Sequence, residues 1–344
     1  MRPLELSLDG LIALTDEVGM SQHGKFSTID RKEGYTTDDN ARALIAALRY
    51  HRSFDDAYSL TLAETYLAFL LHLQREDGRF HNLLGFDRGY QDEIGSEDCM
   101  GHALWACGCA LSSNAPDSMK SAAKELFDRG LPPSHGFKSP RAKASTILGL
   151  RCYHDAFPDD GNVLSNVDIL AKGLVEQYRV EAEGDWRWFE AYLTYANARL
   201  PQALFAAYEC TMEPSFLRVA LSSFDFLIET QILEGFFQPI GTDGWFMKDG
   251  ERTFYDQQPI EASCMVEAAL TAFDATGEDR HLETAMTVFE WYHGRNAQQV
   301  HLLNPETGTC YDGITPEGLN RNQGAEATLS YYLAYLKMRE HNLV

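Results

Sequence analysis

Apolar residues recur at spacings of three and four along nearly the whole chain, while the strict alternation of a half-buried strand is almost absent. The pattern resolves into about twelve helical segments, near 5 to 20, 34 to 52, 56 to 75, 97 to 112, 116 to 130, 141 to 157, 163 to 180, 199 to 211, 214 to 234, 258 to 275, 279 to 293 and 324 to 341. Pro116, Pro201 and Pro214 each fall where a first helical turn tolerates a missing N–H.

Taken in order, the even segments differ from the odd ones. Ala41 to Ala47, Gly101 to Ala110, Ala142 to Leu150, Ala203 to Ala207 and Ala262 to Ala269 are rich in Ala, Gly, Ser and Cys, which lets helices crowd around a common axis. The odd segments carry a one-sided apolar stripe with charge behind it, as from Ser118 to Phe127. Connections after even segments are short and those after odd segments mostly long, so the long loops gather on one face, at the amino-terminal ends of the inner helices. Asn40-Ala41-Arg42 recurs as Asn197-Ala198-Arg199, three hairpins on. The expectation is an all-α fold, an (α/α)6 toroid of six helical hairpins with inner and outer rings. With no linker, low-complexity tract or composition shift, one domain over residues 1–344 is expected.

Composition narrows the function classes. The chain has 344 residues with 51 acidic and 29 basic side chains, a formal charge of -22, which repels a nucleic-acid backbone or an anionic membrane surface. The amino terminus from Met1 to Leu6 has no apolar stretch of signal-peptide length, and runs such as Tyr66 to Leu71 are too short to span a bilayer. Seven cysteines, an odd number and mostly inside apolar helical patterns, read as buried thiols in a reducing compartment. A soluble, cytoplasmic protein is expected.

The starts of the inner helices are polar and acidic: Asp38 and Asp39, Glu97 and Asp98, Arg141, Asn197 and Arg199, Glu261, then Glu326. Acids there cap helices in any protein. Their convergence on one cavity also suits glycoside chemistry, which needs a general acid and a base or nucleophile flanking one bond. Asp38, Asp39, Glu97, Asp98, Glu190 and Glu261 are the catalytic candidates, with Asp38 or Asp39 expected on one side of the ring and Glu190 or Glu261 on the other.

The stretch from Gly184 to Tyr195 packs five aromatic residues and two acids into one loop. Trp186 and Trp188 alternate with charges, which suits a flat platform for a sugar face, with Asp185, Arg187 and Glu190 at its hydroxyls; a core role is the alternative, and the one preferred for Phe189. Tyr35, Arg79, His81, Tyr195, Asn197, Arg199, Tyr255, Asp256, Arg321 and Glu326 complete the expected substrate contacts, with His23, Lys25, Trp245, Tyr311 and Asp312 as further cleft-wall residues. Zinc-protease, Cys-x-x-Cys, phosphate-loop and serine-hydrolase motifs are all missing, so no metal and no cofactor is expected.

Three blocks resemble the six-hairpin glycosidase superfamily, and within it the helical domains found with bacterial glycosyltransferases and mannoside phosphorylases. They are Gly34 to Ala43, Asp185 to Pro201, and Asn322 to Leu329. The resemblance implies an (α/α)6 fold and sugar-directed activity. The leading expectation is a glycoside hydrolase acting on an oligosaccharide, mannose-containing ones included. Two alternatives are open. One is a sugar epimerase or isomerase using His23 and His81 as acid and base, recognisable if two histidines face each other across the cleft. The other is a non-catalytic carbohydrate-binding partner of a glycosyltransferase.

Overall fold

The computed structural model describes residues 6–344. The sequence reading of Met1 to Glu5, and the first residue of the segment from 5 to 20, lie outside the described residues. Twelve α-helices are described: α1 (Asp9–Leu14), α2 (Thr37–Phe54), α3 (Ala57–Leu73), α4 (Glu97–Ser112), α5 (Asp117–Ser134), α6 (Pro140–Ala156), α7 (Gly161–Glu181), α8 (Arg199–Thr211), α9 (Pro214–Gln231), α10 (Pro259–Thr276), α11 (Arg280–Phe289) and α12 (Ala325–Glu340). The even helices form a closed inner ring in which each packs on the next and α12 returns to α2; α3, α5, α7, α9 and α11 pack outside α2, α4, α6, α8 and α10. The first and last helices make the sixth pair. Tyr332 of α12 donates to the Ser7 carbonyl at 2.6 Å and accepts from the Gly10 amide at 3.1 Å.

Small residues allow the close inner ring. A Cβ on Gly108 would lie 2.2 Å from the Gly149 carbonyl oxygen, and one on Gly149 would lie 2.6 Å from that of Leu104, so α4 and α6 approach backbone to backbone. Large side chains such as Trp105, Trp291 and Tyr332 fill what remains and are fully buried, each worth roughly 1.5–3 kcal/mol in removed apolar surface. Inside the ring, Glu267 is fully buried between Arg49 at 2.6 Å and Arg199 at 2.5 Å, with the Arg199 guanidinium 4.6 Å over the Trp105 ring.

The expected twelve helices and the alternation of loop lengths are both present, with local differences. The segment expected from 5 to 20 is helical only over Asp9–Leu14, because Thr15 pairs with Met20 across a turn. The segment expected from 34 begins at Thr37, since Tyr35 and Thr36 pair as a short strand with Leu84 and Leu83. Residues 290–292 close the eleventh segment as a 3-10 turn. Short strand pairs of this kind clip the long loops together: Tyr192–Leu193 with Phe246–Met247, and Gly313–Thr315 with Gly318–Asn320. Among the described residues, no helix is long and apolar enough to cross a membrane.

Candidate functional site

Helix caps place the site. Thr36 accepts from the Asp39 amide at the start of α2, Ser96 from the Cys99 amide at the start of α4, and Ser139 from the Ala142 amide at the start of α6. The starts of α2, α10 and α12 and the long loops enclose a cleft of about 360 Å³, lined by His23, Asp38, Asp39, Arg42, Asn82, Asp312 and Glu326 among others.

Asp38 and Asp39 are neighbours in sequence but face different surroundings. Burial by itself would raise the Asp38 carboxyl, yet His102, Arg42 and the Asn82 amide outweigh it and hold the group below its ordinary value. His102 Nδ1 lies 3.3 Å from one oxygen, and Asn82 Nδ2 donates to the other at 3.3 Å. Asp39 is shifted upward: burial dominates over the opposing pull of Arg42 and the Thr36 hydroxyl. Its carboxylate is nevertheless engaged, accepting from Thr36 Oγ1 at 2.7 Å and pairing with Arg42 at 2.9 Å. Arg42 reaches on to Glu326 at 3.1 Å, whose side chain is half open to the cleft. Asp312, on the loop before α12, is raised by burial despite accepting from the Gly324 amide at 2.6 Å.

A second wall adjoins the first along α4, where Asp98 and His102 share one face four residues apart. Asp98 accepts from Ser139 Oγ at 2.5 Å and from Tyr195 at 2.6 Å. Arg141 lies 4.5 Å from the Tyr195 ring centre, pairs with Glu190 at 2.8 Å and donates to the Tyr195 carbonyl at 2.7 Å. Tyr195 is 43% exposed and offers the flat apolar surface of this wall. Glu261 lies beneath, 2% exposed, accepting from the Ala196 amide and from Asn197 Nδ2 at 3.1 Å. Burial lifts its pKa to about 7 against those donors.

Several expected contacts lie elsewhere. Trp186 and Trp188 are buried, packed against Phe226, Phe246 and Phe189, so they staple the loop to the barrel rather than present a platform. The same holds for Phe189, where a core role was expected. Tyr35 is buried and donates to Asp16 at 2.6 Å, and Arg199 serves the internal Glu267 pair. Arg79 is tied to Asp77 on an exposed turn. His81 stacks on Tyr90 with ring centres 4.1 Å apart, its Nδ1 3.2 Å from Asp92, and does not line the cleft. Glu97 accepts from the Lys138 and Ser139 amides at 2.8 and 2.7 Å and so holds the turn into α6. Tyr255 is half-buried and accepts from Gln298 Nε2 at 3.1 Å, while Asp185, Asp256 and Arg321 are exposed on their loops.

The repeated Asn-Ala-Arg blocks share half their geometry. Asn40 Oδ1 accepts from the Met20 amide and Asn197 Oδ1 from the Thr194 amide, each pinning the chain ahead of its inner helix, but Arg42 faces the cleft and Arg199 the interior. His102 escaped the sequence reading because it sits one turn inside the apolar pattern of α4; its spacing from Asp98 was the available signal. Among the described residues, no cluster of three or more His, Cys, Asp or Glu side chains is placed to hold a metal ion.

The long loops carry Phe26, Phe86, Tyr90, Tyr192, Tyr195, Trp245 and Phe254, all exposed, at the end of the ring where the cleft opens. Similar structures share this architecture over nearly the whole chain. Cellobiose 2-epimerase from Bacillus thermoamylovorans matches with a TM-score of 0.75 and 11% identity, covering 98% of this chain and 96% of that one. The fold is that of the six-hairpin glycosidases. A D-mannose isomerase matches with a TM-score of 0.72 and 14% identity over 96% of each chain. An α-mannanase from Bacteroides thetaiotaomicron matches with a TM-score of 0.65 and 12% identity, covering 97% of this chain and 94% of that one. No family model matches the sequence, and no curated protein matches it. The fold neighbours are thus sugar-acting enzymes of two kinds, isomerising and hydrolysing.

Proposed function

We propose that this protein is a glycoside hydrolase acting on an oligosaccharide by carboxylate acid/base chemistry. The observation that carries the reading is the pair Asp38 and Asp312, which line one cleft and are shifted in opposite directions, Asp38 down and Asp312 up. Asp38 supplies the anion at the anomeric centre, and Asp312 supplies the proton to the leaving oxygen. The second carboxyl was expected from Glu190 or Glu261. Glu190 is neutralised by Arg141 and Glu261 is covered by the turn at Ala196, so Asp312 suits the role better. Asp39 and Arg42 hold the floor of the cleft, and Tyr195 gives a sugar ring an apolar face. Another neighbour, an α-1,6-mannanase from Salegentibacter, is inactive as a variant with two consecutive aspartates replaced by alanine and was captured with an α-1,6-mannotetraose. Asp38-Asp39 is a consecutive pair at an inner-helix start, which favours manno-oligosaccharides as the first substrates to try.

Epimerisation is the second reading, favoured by His102 behind Asp38 and His23 in the same cleft, and by the epimerase and isomerase among the neighbours. Against it, the cleft lining among the described residues has four carboxylates and one histidine. Incubating the protein with neutral oligosaccharides in D₂O separates the readings. Hydrolysis gives shorter saccharides without carbon-bound deuterium, and epimerisation gives an isomer of unchanged length that carries it.

A further inference from the structure

The ring has a second opening at the carboxy-terminal ends of the inner helices, a cavity of about 230 Å³ lined by Arg49, Arg151, Glu209, Asp274, Cys109 and Cys152 among others. Most charges there are already matched: Arg49 with Glu267, Arg151 with Asp155 and Glu209, and Lys337 with Asp274. Cys109 and Cys152 pack against the core beside one another at this wall. Their sulfurs stand 3.1 Å apart across the α4–α6 contact, where the Gly108 and Gly149 backbones meet, and both are half-buried at the cavity wall.

We infer that Cys109 and Cys152 form a peroxide-responsive dithiol that closes to a disulfide across inner helices α4 and α6. The two sulfurs are already neighbours, so closure needs only a small shift, and the cavity admits a small oxidant. The two thiols are also differentiated. Contact with the Cys109 thiol lowers Cys152, helped by Arg49 and Arg151 and opposed by burial and Asp155, while Cys109 is raised by Cys152 and by burial. The Cys152 thiolate attacks hydrogen peroxide, forming an S–O bond as the O–O bond breaks, and the departing hydroxide is protonated to water. The Cys109 sulfur then attacks the Cys152 sulfenic acid, forming S–S and breaking S–O, and a second water leaves with the Cys109 proton. Each sulfur gives up one electron and peroxide takes both. The other five cysteines have no such partner within sulfur contact among the described residues.

Treatment of the reduced full-length protein with stoichiometric hydrogen peroxide, followed by alkylation and peptide mass spectrometry, tests this without a variant. The expected product is one Cys109–Cys152 disulfide, 2 Da lighter and reversed by dithiothreitol. In Cys109→Ser, Cys152 should instead accumulate as a sulfenic acid trapped by dimedone, at least tenfold above the wild type. The inference is overturned if the wild type keeps both thiols free after peroxide, or if Cys152 of the wild type is trapped by dimedone as fully as in Cys109→Ser.

Discussion

His102 Nδ1 stands 3.3 Å from Oδ1 of Asp38, while the Asn82 amide donates to Oδ2 at 3.3 Å. Two loop-and-helix neighbours therefore hold a partly buried carboxylate in its anionic form, against the cost of burial. That arrangement has kinetic consequences.

Asp38 is held low, so its anion persists to acid pH and activity is lost only as pH falls through that low value. Removing His102 leaves burial less opposed and moves the loss to higher pH. His102→Ala should shift the acid limb of the kcat/KM profile upward, each pH unit of displacement costing about tenfold on the acid side. A pH–rate profile on the turned-over sugar checks this; an unmoved acid limb argues that Asp38 is not the titrating group.

Glu261 titrates in the folded protein near 7, against 4.5 as its ordinary value. A raised acid stabilises the fold fully below 4.5, and the contribution is lost as pH rises through about 7. The loss over that window is about 3 kcal/mol. Urea unfolding at several pH values should show this slope in the wild type and not in Glu261→Gln; parallel curves for the two would place the ionisation elsewhere.

Glu267 neutralises Arg49 and Arg199 inside the ring. Glu267→Ala leaves two guanidinium groups buried without their anion and should cost about 3–5 kcal/mol in denaturant unfolding. An effect under about 1 kcal/mol would mean that water reaches the pair.

Trp188 and Tyr195 should separate stability from binding. Trp188→Ala removes a fully buried ring and should cost about 3–5 kcal/mol of stability. Tyr195→Ala removes an exposed one and should raise KM several-fold with little change in melting temperature. A Tyr195 variant with unchanged KM would remove the stacking surface from the account.

The twelve helices, the two rings and the loop-bearing face were legible because small residues mark the inner helices and loop lengths alternate, both of which are local signals. The site was legible only in part. Asp38, Asp39 and Glu326 line one cleft, as expected for acids at inner-helix starts. Trp186 and Trp188 were not distinguishable from a sugar platform, since alternation with charge says nothing about which outer helix the loop lies against. Arg199 copied the sequence of Arg42 yet turned to the interior, because its partner Glu267 sits on a helix 68 residues away in sequence, a pairing that no local pattern contains. His102 was hidden within an apolar helix, where a polar residue at cleft spacing looks like any other inward position.

The most direct test compares the wild type with Asp38→Asn on a panel of neutral manno-, gluco- and galacto-oligosaccharides, with chromatography of the products and a melting curve for each protein. The wild type is expected to release shorter saccharides, and Asp38→Asn to lose about 10²–10⁴-fold of this rate while melting within a few degrees of the wild type. A wild type that only interconverts sugars, or an Asp38→Asn variant that cleaves at the wild-type rate, would contradict this expectation.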